Sequence, residues 1–240
     1  MTPVFELLPW DSGMLGFQVA RLLPSHLSSH TLRQALATLK EAGVHLVYGC
    51  VDPTDLESCV AASEQNGKLV DEKTTYVLDL HTIKDMIGNE TIDYYEAVEP
   101  DETLQILALE SGKFSRFLKD ERIGRLNFEK IYRQWIINSC HKTIADNILV
   151  VREKGKILGM ATVGKKKNRG DIGLLAVLPS AQGKGVGTRL LHSVHAYFYK
   201  NNTPVIQVVT QKENIPACRL YEKCHFKIES IQHFYHFWLR

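Results

Sequence analysis

Two short clusters hold residues whose types and spacing could do chemistry. In the first, "LPSAQGKGVGTR" (residues 178–189), Gly183, Gly185 and Gly187 recur at every second position. They follow an apolar run, "DIGLLAV" (171–177), and precede a segment in which Val186, Leu190, Val194 and Phe198 fall four apart. The run has the length of a buried strand, and the four-residue spacing marks one face of a helix. Strand, glycine-rich turn and helix together aim several backbone N–H groups at one spot, which makes an anion site suited to a phosphorylated guest. A P-loop is excluded, because the Gly183-Lys184 of this turn has neither a glycine five residues earlier nor a Ser/Thr after it. A dinucleotide fingerprint is excluded as well: the spacing is G-x-G-x-G, and no acidic residue follows about 20 positions on at a second strand end. Read from Gln182, the pattern is Q-x-x-G-x-G.

The second cluster is "NIPACRLYEKCHFK" (214–227), with Asn214 seven residues before Tyr221 and Pro216 suited to a first helical turn. A phenol of pKa ~10 stays protonated at neutral pH and can give its proton to a departing group. The alternatives are a packing tyrosine at 221 and a helix cap at 214. Other titratable groups read as structural. His192 and His195 lie on the helix after the glycine turn, His225 and Cys224 are adjacent and project apart, and His233 and His236 face opposite sides of a strand. No metal site is read. Lys165, Lys166 and Lys167 suit a solvated hairpin turn, or contact with a phosphate.

Positioning these clusters requires an ordered series of elements. "TIDYYEAVEP" (91–100) reads as a strand, and "DETLQILALESG" (101–112) as a helix with acidic residues at its start and glycine at its end. "RLNFEKIYRQWIINS" (125–139) reads as a helix burying Leu126, Phe128, Ile131, Tyr132, Trp135 and Ile136. Residues 147–179 read as a strand meander with turns at Lys154-Gly155 and Lys167 to Gly170. Helix, strand "VIQVVTQ", helix "IPACRLYEK" and strand "IQHFYHFWLR" complete the chain.

Composition bounds the function. The 240 residues are 44% hydrophobic and 23% charged, with net charge +2. That is an ordinary globular composition, with no electrostatic case for nucleic acid or an anionic membrane as partner. No apolar run approaches the roughly 18 residues that span a bilayer. The N-terminus lacks a signal-peptide pattern, and five cysteines without C-x-x-C spacing suggest reduced thiols in a cytoplasmic protein.

The Q-x-x-G-x-G turn, the Asn214–Tyr221 pair and the order of elements resemble the GNAT acetyltransferases. The resemblance implies an α/β (α+β) fold, a mixed and mostly antiparallel sheet with a splayed central strand pair. It implies that acetyl-CoA is the co-substrate. Backbone groups of Leu175, Ala176 and Val177 would pair with its pantetheine arm, and Gln182, Gly183, Lys184, Gly185, Val186, Gly187 and Thr188 would cradle its pyrophosphate. Asn214 would contact CoA, and Tyr221 would serve as the catalytic acid beside the sulfur. The general base is not readable.

"WDSGMLGF" (10–17), "KFSRF" (113–117), "YRQWIINS" (132–139), "IGLLAV" (172–177) and "VVTQKENIPACRLYEK" (208–223) resemble segments of the bacterial dTDP-fucosamine acetyltransferases. That resemblance implies N-acetylation of a dTDP-4-amino-4,6-dideoxyhexose for surface polysaccharide, by direct attack of the amine without an acetyl-enzyme. Substrate candidates are Trp10, Asp11, Phe17, Ser115, Arg116 and Phe117, with Arg116 matched to a diphosphate and Phe17 or Phe117 to a base. The glycine turn is fuller than that family's shortened loop, which secures CoA and leaves the sugar open. The other readings are an acetyltransferase for protein N-termini or another small amine, and a non-catalytic acyl-CoA-binding module. A homodimer is left open.

Shifted by 159 positions, the N-terminal segment echoes the C-terminal one without a gap. Leu32 falls on Leu191, Ala35 on Val194, Leu39 on Phe198, Leu46 on Val205 and Cys59 on Cys218, while Ala62 falls on Tyr221. Common α/β architecture and duplication both account for the echo. The expected division is a truncated GNAT-like domain on the substrate side (1–88) and a catalytic domain (89–240), with the boundary in "DLHTIKDMIGNE" (79–90).

Overall fold

The computed structural model describes residues 4–88 and 91–240. In chain order the elements are β1 (Phe5–Leu7), α1 (Pro9–Leu15), β2 (Val19–Leu22), α2 (Ser29–Glu41), β3 (Leu46–Val51), α3 (Leu56–Glu64) and β4 (Lys68–Asp79). There follow β5 (Asp93–Tyr94), α4 (Glu102–Ser111), α5 (Arg116–Lys119), α6 (Arg125–Cys140), β6 (Asn147–Glu153), β7 (Lys156–Lys166) and β8 (Arg169–Val177). The series closes with α7 (Val186–Lys200), β9 (Val205–Gln211), α8 (Ile215–Lys223) and β10 (Lys227–Trp238).

Local chemistry sets most of these ends. Asp101 caps α4 by accepting from the Leu104 N–H at 2.8 Å, and the helix stops at Gly112. The β6–β7 and β7–β8 hairpins turn through Lys154-Gly155 and Lys167-Asn168, each a pair of left-handed residues, as tight hairpins require. Two expectations fail. Of "TIDYYEAVEP" only Asp93–Tyr94 pairs as a strand. Leu126 is 84% exposed; it sits at the first turn of α6, before the buried stripe of Phe128, Ile131, Tyr132 and Ile136 begins.

The chain packs as two compact units. Unit 1 comprises Met1–Thr74, Ser115–Asn127 and Ser230–Arg240; unit 2 comprises Thr75–Phe114 and Phe128–Glu229. These units do not follow a division after residue 88, whose neighbours 89 and 90 lie outside the described residues. The physical reason is strand pairing. Most of β10 pairs antiparallel with β3, His233 opposite Val51 and Trp238 opposite Leu46, so the chain's final strand belongs to unit 1, while residues 75–79 of β4 belong to unit 2.

In unit 1 the strands run β1-β2-β3-β10, with β2 and β3 parallel. One face buries Val47, Val51 and Phe237 against Leu32, Leu36 and Leu39 of α2 and Ala61 and Ala62 of α3. Alternation along β3 and β10 turns Tyr48, Cys50, Phe234, His236 and Trp238 to the opposite face. In unit 2 the order is β4-β9-β8-β7-β6-β5. Leu190, Val194 and Phe198 of α7 pack on Val163, Ile172 and Ile206 of its sheet. Most pairs in both units are antiparallel, and β8–β9 is parallel.

The echo at 159 positions recurs in the elements. α3 and α8 match at both ends, as do β4 and β10. Asp55 and Asn214 occupy the same place before α3 and α8, and each caps its helix with its side chain. No helix among the described residues is long and apolar enough to cross a membrane.

Candidate active site

The parallel pair at the centre of unit 2 is short. Gly170, Asp171 and Ile172 of β8 pair with Ile206, Gln207 and Val208 of β9, and both strands then continue without pairing to each other. A bulge in β7 accompanies this parting: the β7–β8 register shifts between Ala161 and Val163, and the hydroxyl of Thr162 accepts the Leu174 N–H at 2.8 Å. A bulge adds twist, which carries the end of one strand away from its neighbour. The N–H groups of Leu174 and Leu178 point to β7. Alternation then turns the backbone of Ala176 to β7 and the backbone groups of Leu175 and Val177 to the opened side.

The glycine turn lies at the end of this opening. Gly183 and Gly185 have φ of 74° and 79°, and a side-chain carbon added to either meets nothing within 4 Å. Glycine is needed there for its backbone conformation, and the space above both is open. Gly187 serves another purpose, since a methyl group there would press on the Leu220 side chain at 2.9 Å. Its absence lets α7 approach α8. Gln182 donates to the Val177 carbonyl at 3.1 Å and to Glu110 at 3.4 Å, which clamps the turn to the strand end. Lys184 folds back onto the Ser180 carbonyl at 2.8 Å.

The N-terminus of α7 is uncapped. Gly185 offers no side chain, and the helical ladder starts with the Arg189 N–H donating to the Gly185 carbonyl. The N–H groups of Val186, Gly187 and Thr188 therefore present the positive end of the helix to the open side of the turn. The parted strand, the left-handed glycines and this helix end fit a thioester co-substrate with a pyrophosphate.

Tyr221 is 4% exposed, and burial, followed by Cys218, holds its hydroxyl above the ordinary phenol range. Its ring packs against Tyr76 at 5.5 Å and Phe226 at 5.8 Å between centroids. Tyr76 donates to a Glu222 carboxylate oxygen at 2.9 Å, and burial, Cys218 and Glu222 together raise its own titration. Sequence reasoning did not find Tyr76, which lies in a largely polar strand far from Tyr221 in the chain. Cys218 donates its thiol to the carbonyls of Gln211 at 3.6 Å and Lys212 at 3.8 Å. Asn214 accepts from the Ala217 N–H and donates to Thr210, both at 3.3 Å, so the cap reading of Asn214 is realised. His195 is buried, and desolvation, then His192 and His225, push it down to about 4.

Ser115, Arg116, Phe117 and Asp11 come together in unit 1. The Arg116 guanidinium lies over the rings of Phe117 (4.2 Å), Phe234 (4.5 Å) and Tyr48 (5.0 Å). Burial raises the Asp11 carboxyl against the opposing pull of Arg116. Phe117 is 1% exposed, so its ring is a wall of this cluster. Trp10 is exposed on α1, and the Phe17 ring packs at a tilt against Trp238 (5.5 Å) and His45 (5.7 Å). Asp120, which the sequence did not single out, accepts from His236 Nδ1 at 2.6 Å and Trp238 Nε1 at 2.8 Å. Burial opposes its charge, yet these donors hold it well below the carboxylate range. The Tyr48 hydroxyl interacts with Asp11 and Arg116, while Nε2 of His236 and the Ser115 hydroxyl are buried and close no hydrogen bond. Each such group costs about 1–3 kcal/mol.

The sequence model of the acetyltransferase (GNAT) family matches residues 93–226. The chain is 28% identical over 142 residues to the spore coat polysaccharide biosynthesis protein SpsD of Bacillus subtilis (strain 168). That alignment covers 58% of this chain and 49% of the relative, so the chain spans about half the length of the curated relative it matches. A GNAT acetyltransferase structure from Sphaerobacter thermophilus superposes with a TM-score of 0.61 at 13% identity, covering 98% of this chain and 76% of the other. A tandem GNAT protein from the clavulanic acid biosynthesis pathway superposes with a TM-score of 0.57, also at 13% identity, over 92% and 75%. Likeness at such identities bears on the fold.

Proposed function

Because this chain belongs to the GNAT acetyltransferase family, we propose that it moves acetyl from acetyl-CoA to the amine of a nucleotide-linked amino sugar of the dTDP-4-amino-4,6-dideoxyhexose kind, for a cell-surface polysaccharide. The observation that carries the acetyl-transfer half is the uncapped N-terminus of α7 behind two left-handed glycines, at the end of the unpaired part of β8. The sugar half is supported by the relation to a polysaccharide biosynthesis protein and by the aromatic and charged face of unit 1.

Acetyl-CoA supplies an activated thioester. The N–H groups of Val186, Gly187 and Thr188 hold its pyrophosphate, with Gln182 fixing the turn that carries them. Leu175 and Val177 offer backbone groups to the pantetheine arm, and an N–H from this strand stabilises charge growing on the carbonyl oxygen. Tyr221, kept protonated by its burial, gives a proton to the departing thiolate. Tyr76 orients it from one side. The Cys218 thiol donates to two carbonyls, and the neutral amine attacks the thioester carbonyl directly with no acetyl-enzyme, the proton it sheds passing to solvent, from which Tyr221 is reprotonated.

Free-thiol release from acetyl-CoA, measured with dTDP- and UDP-linked 4-amino-4,6-dideoxyhexoses, polyamines, aminoglycosides and N-terminal peptides, tests this reading. Turnover confined to the nucleotide sugars is expected. Turnover with another class alone moves the acceptor to that class, and tight acetyl-CoA binding without any turnover leaves a binding module.

A further inference from the structure

The parting of β8 from β9 starts at a defined point, since their pairing ends at Ile172 opposite Val208. On its other side, β8 keeps step with β7 up to Ile172 opposite Val163 and resumes at Leu175 opposite Ala161. Thr162 of β7 therefore stands opposite two residues of β8, Gly173 and Leu174. A side chain satisfies the strand there. The hydroxyl of Thr162, a residue 2% exposed, accepts the Leu174 N–H at 2.8 Å. Gly173 leaves the room for it: a methyl group added there would stand 2.9 Å from Thr162 Oγ1, so close that one of the two must move. The φ of Gly173 lies outside the left-handed region, so space, not backbone freedom, is what this glycine supplies.

This pair sets the phase of everything that follows on β8. A slip of one residue reverses the direction of every group along a strand. Two residues against one is such a step, and it leaves the backbone groups of Leu175 and Val177 turned away from β7. Without the hydroxyl, the Leu174 N–H would be a buried donor with nothing to accept it, which favours a return toward the regular register. The pyrophosphate turn has separate supports, the left-handed Gly183 and Gly185 and the clamp of Gln182 on the Val177 carbonyl. The two parts of the co-substrate thus depend on different devices.

We infer that Thr162 and Gly173 are positioning residues: the Thr162 hydroxyl, in the space that Gly173 leaves, holds β8 in the register that presents Leu175 and Val177 to the pantetheine arm of acetyl-CoA. The inference rests on the acetyl-CoA reading and adds to it the side chain that sets the geometry of the arm's site. Neither residue has to touch the co-substrate. Both act through the backbone of β8.

Calorimetric titration of the full chain with acetyl-CoA and, separately, with 3′-phospho-ADP, which is CoA without its pantetheine arm, tests this. Thr162→Val keeps the shape and removes the acceptor. It is expected to weaken acetyl-CoA binding about tenfold, the worth of one buried hydrogen bond, and to leave the affinity for 3′-phospho-ADP unchanged. Thr162→Ser keeps the hydroxyl and should bind acetyl-CoA within about twofold of the wild type. Gly173→Ala displaces the hydroxyl without removing it and should reproduce the valine pattern, which decides the question if Thr162→Val fails to fold. Equal weakening of both ligands would mean a merely structural role and overturns the inference. Unchanged acetyl-CoA binding in Thr162→Val and Gly173→Ala overturns it too, as does a wild type that binds 3′-phospho-ADP as tightly as acetyl-CoA. The expected pattern in a chain that turns over no amine leaves the positioning pair standing and sinks the proposed reaction. A wild type that binds neither ligand overturns both.

Discussion

The link from β2 into α2 and the link from β8 into α7 both begin Leu-Pro-Ser, at residues 23–25 and 178–180. They then diverge. After Ser25 the chain enters α2 within three residues, and Ser28 caps the helix by accepting from the Thr31 N–H at 3.3 Å. The Leu27 N–H is taken by the Ser58 hydroxyl at 2.7 Å. After Ser180 the chain is longer, two glycines turn left-handed, and no side chain meets the helix end. One supersecondary piece is thus self-satisfied in unit 1 and open to an anion in unit 2. The helices that follow repeat the contrast. Each unit has a cysteine beside a buried tyrosine, Cys59 by Tyr235 and Cys218 by Tyr76, but Tyr221 of unit 2 has Ala62 as its counterpart in unit 1. Under the proposed function, the capacity for acetyl transfer rests on a few extra loop residues and one phenol rather than on the layout of elements.

Removing the phenol is the hardest blow to that contrast. Tyr221→Phe is expected to lower kcat by about 10²–10⁴, the range for a positioned general acid, while the acetyl-CoA dissociation constant stays put. A loss under tenfold would assign proton donation elsewhere. Gly185→Val forces a β-branched residue into φ 79° and is expected to weaken acetyl-CoA binding by about 10–100-fold, since the misplaced N–H groups are those that hold the anion. Calorimetry with CoA itself checks this without turnover.

Ser28→Ala probes the closed junction. It costs about 1 kcal/mol, read as a fall of about 2–4 °C in Tm, with acetyl-CoA affinity unaltered. A change in that affinity would contradict the division of labour between the two junctions. The smallest effect concerns pH. His195 titrates at about 4 in the fold against an ordinary 6.5, so between those values the unfolded chain binds a proton that the folded chain refuses. Its contribution to stability is whole above pH 6.5 and drains away as the pH falls toward 4. His195→Phe should flatten that part of the Tm–pH curve; an unchanged slope would mean that His195 is protonated in the fold.

Much of unit 2 was legible because its chemistry is local. The strand, turn and helix around Gly183–Gly187 are contiguous, and Asn214 and Tyr221 share one cap and one helix. The 159-residue echo, read in single residues, recurs in the matching ends of α3 with α8 and of β4 with β10. What was illegible is long-range. Asp120 and His236 are far apart in sequence, and neither position carries a local signal beyond strand alternation. The pairing of β10 with β3, far earlier in the chain, leaves no local signal in either segment. His236 was read only as one side of an alternating strand, and Leu126 was assigned to a stripe that its helix starts too late to bury.

The placement of β10 has a consequence for synthesis. Residues 46–51 of β3 have one neighbour, β2, until residues 233–238 arrive to occupy the other edge. All of unit 2 is translated in between. At 5–20 residues per second the interval is about 10–35 s. Throughout it a strand that is almost wholly buried in the finished protein presents a bare hydrogen-bonding edge, the feature that invites pairing with a neighbouring chain. Unit 2 has its own last-made strand, β9, in hand first. The catalytic half can mature on the ribosome while the other half waits on the chain's closing segment, so nascent-chain quality control is expected to act on β3.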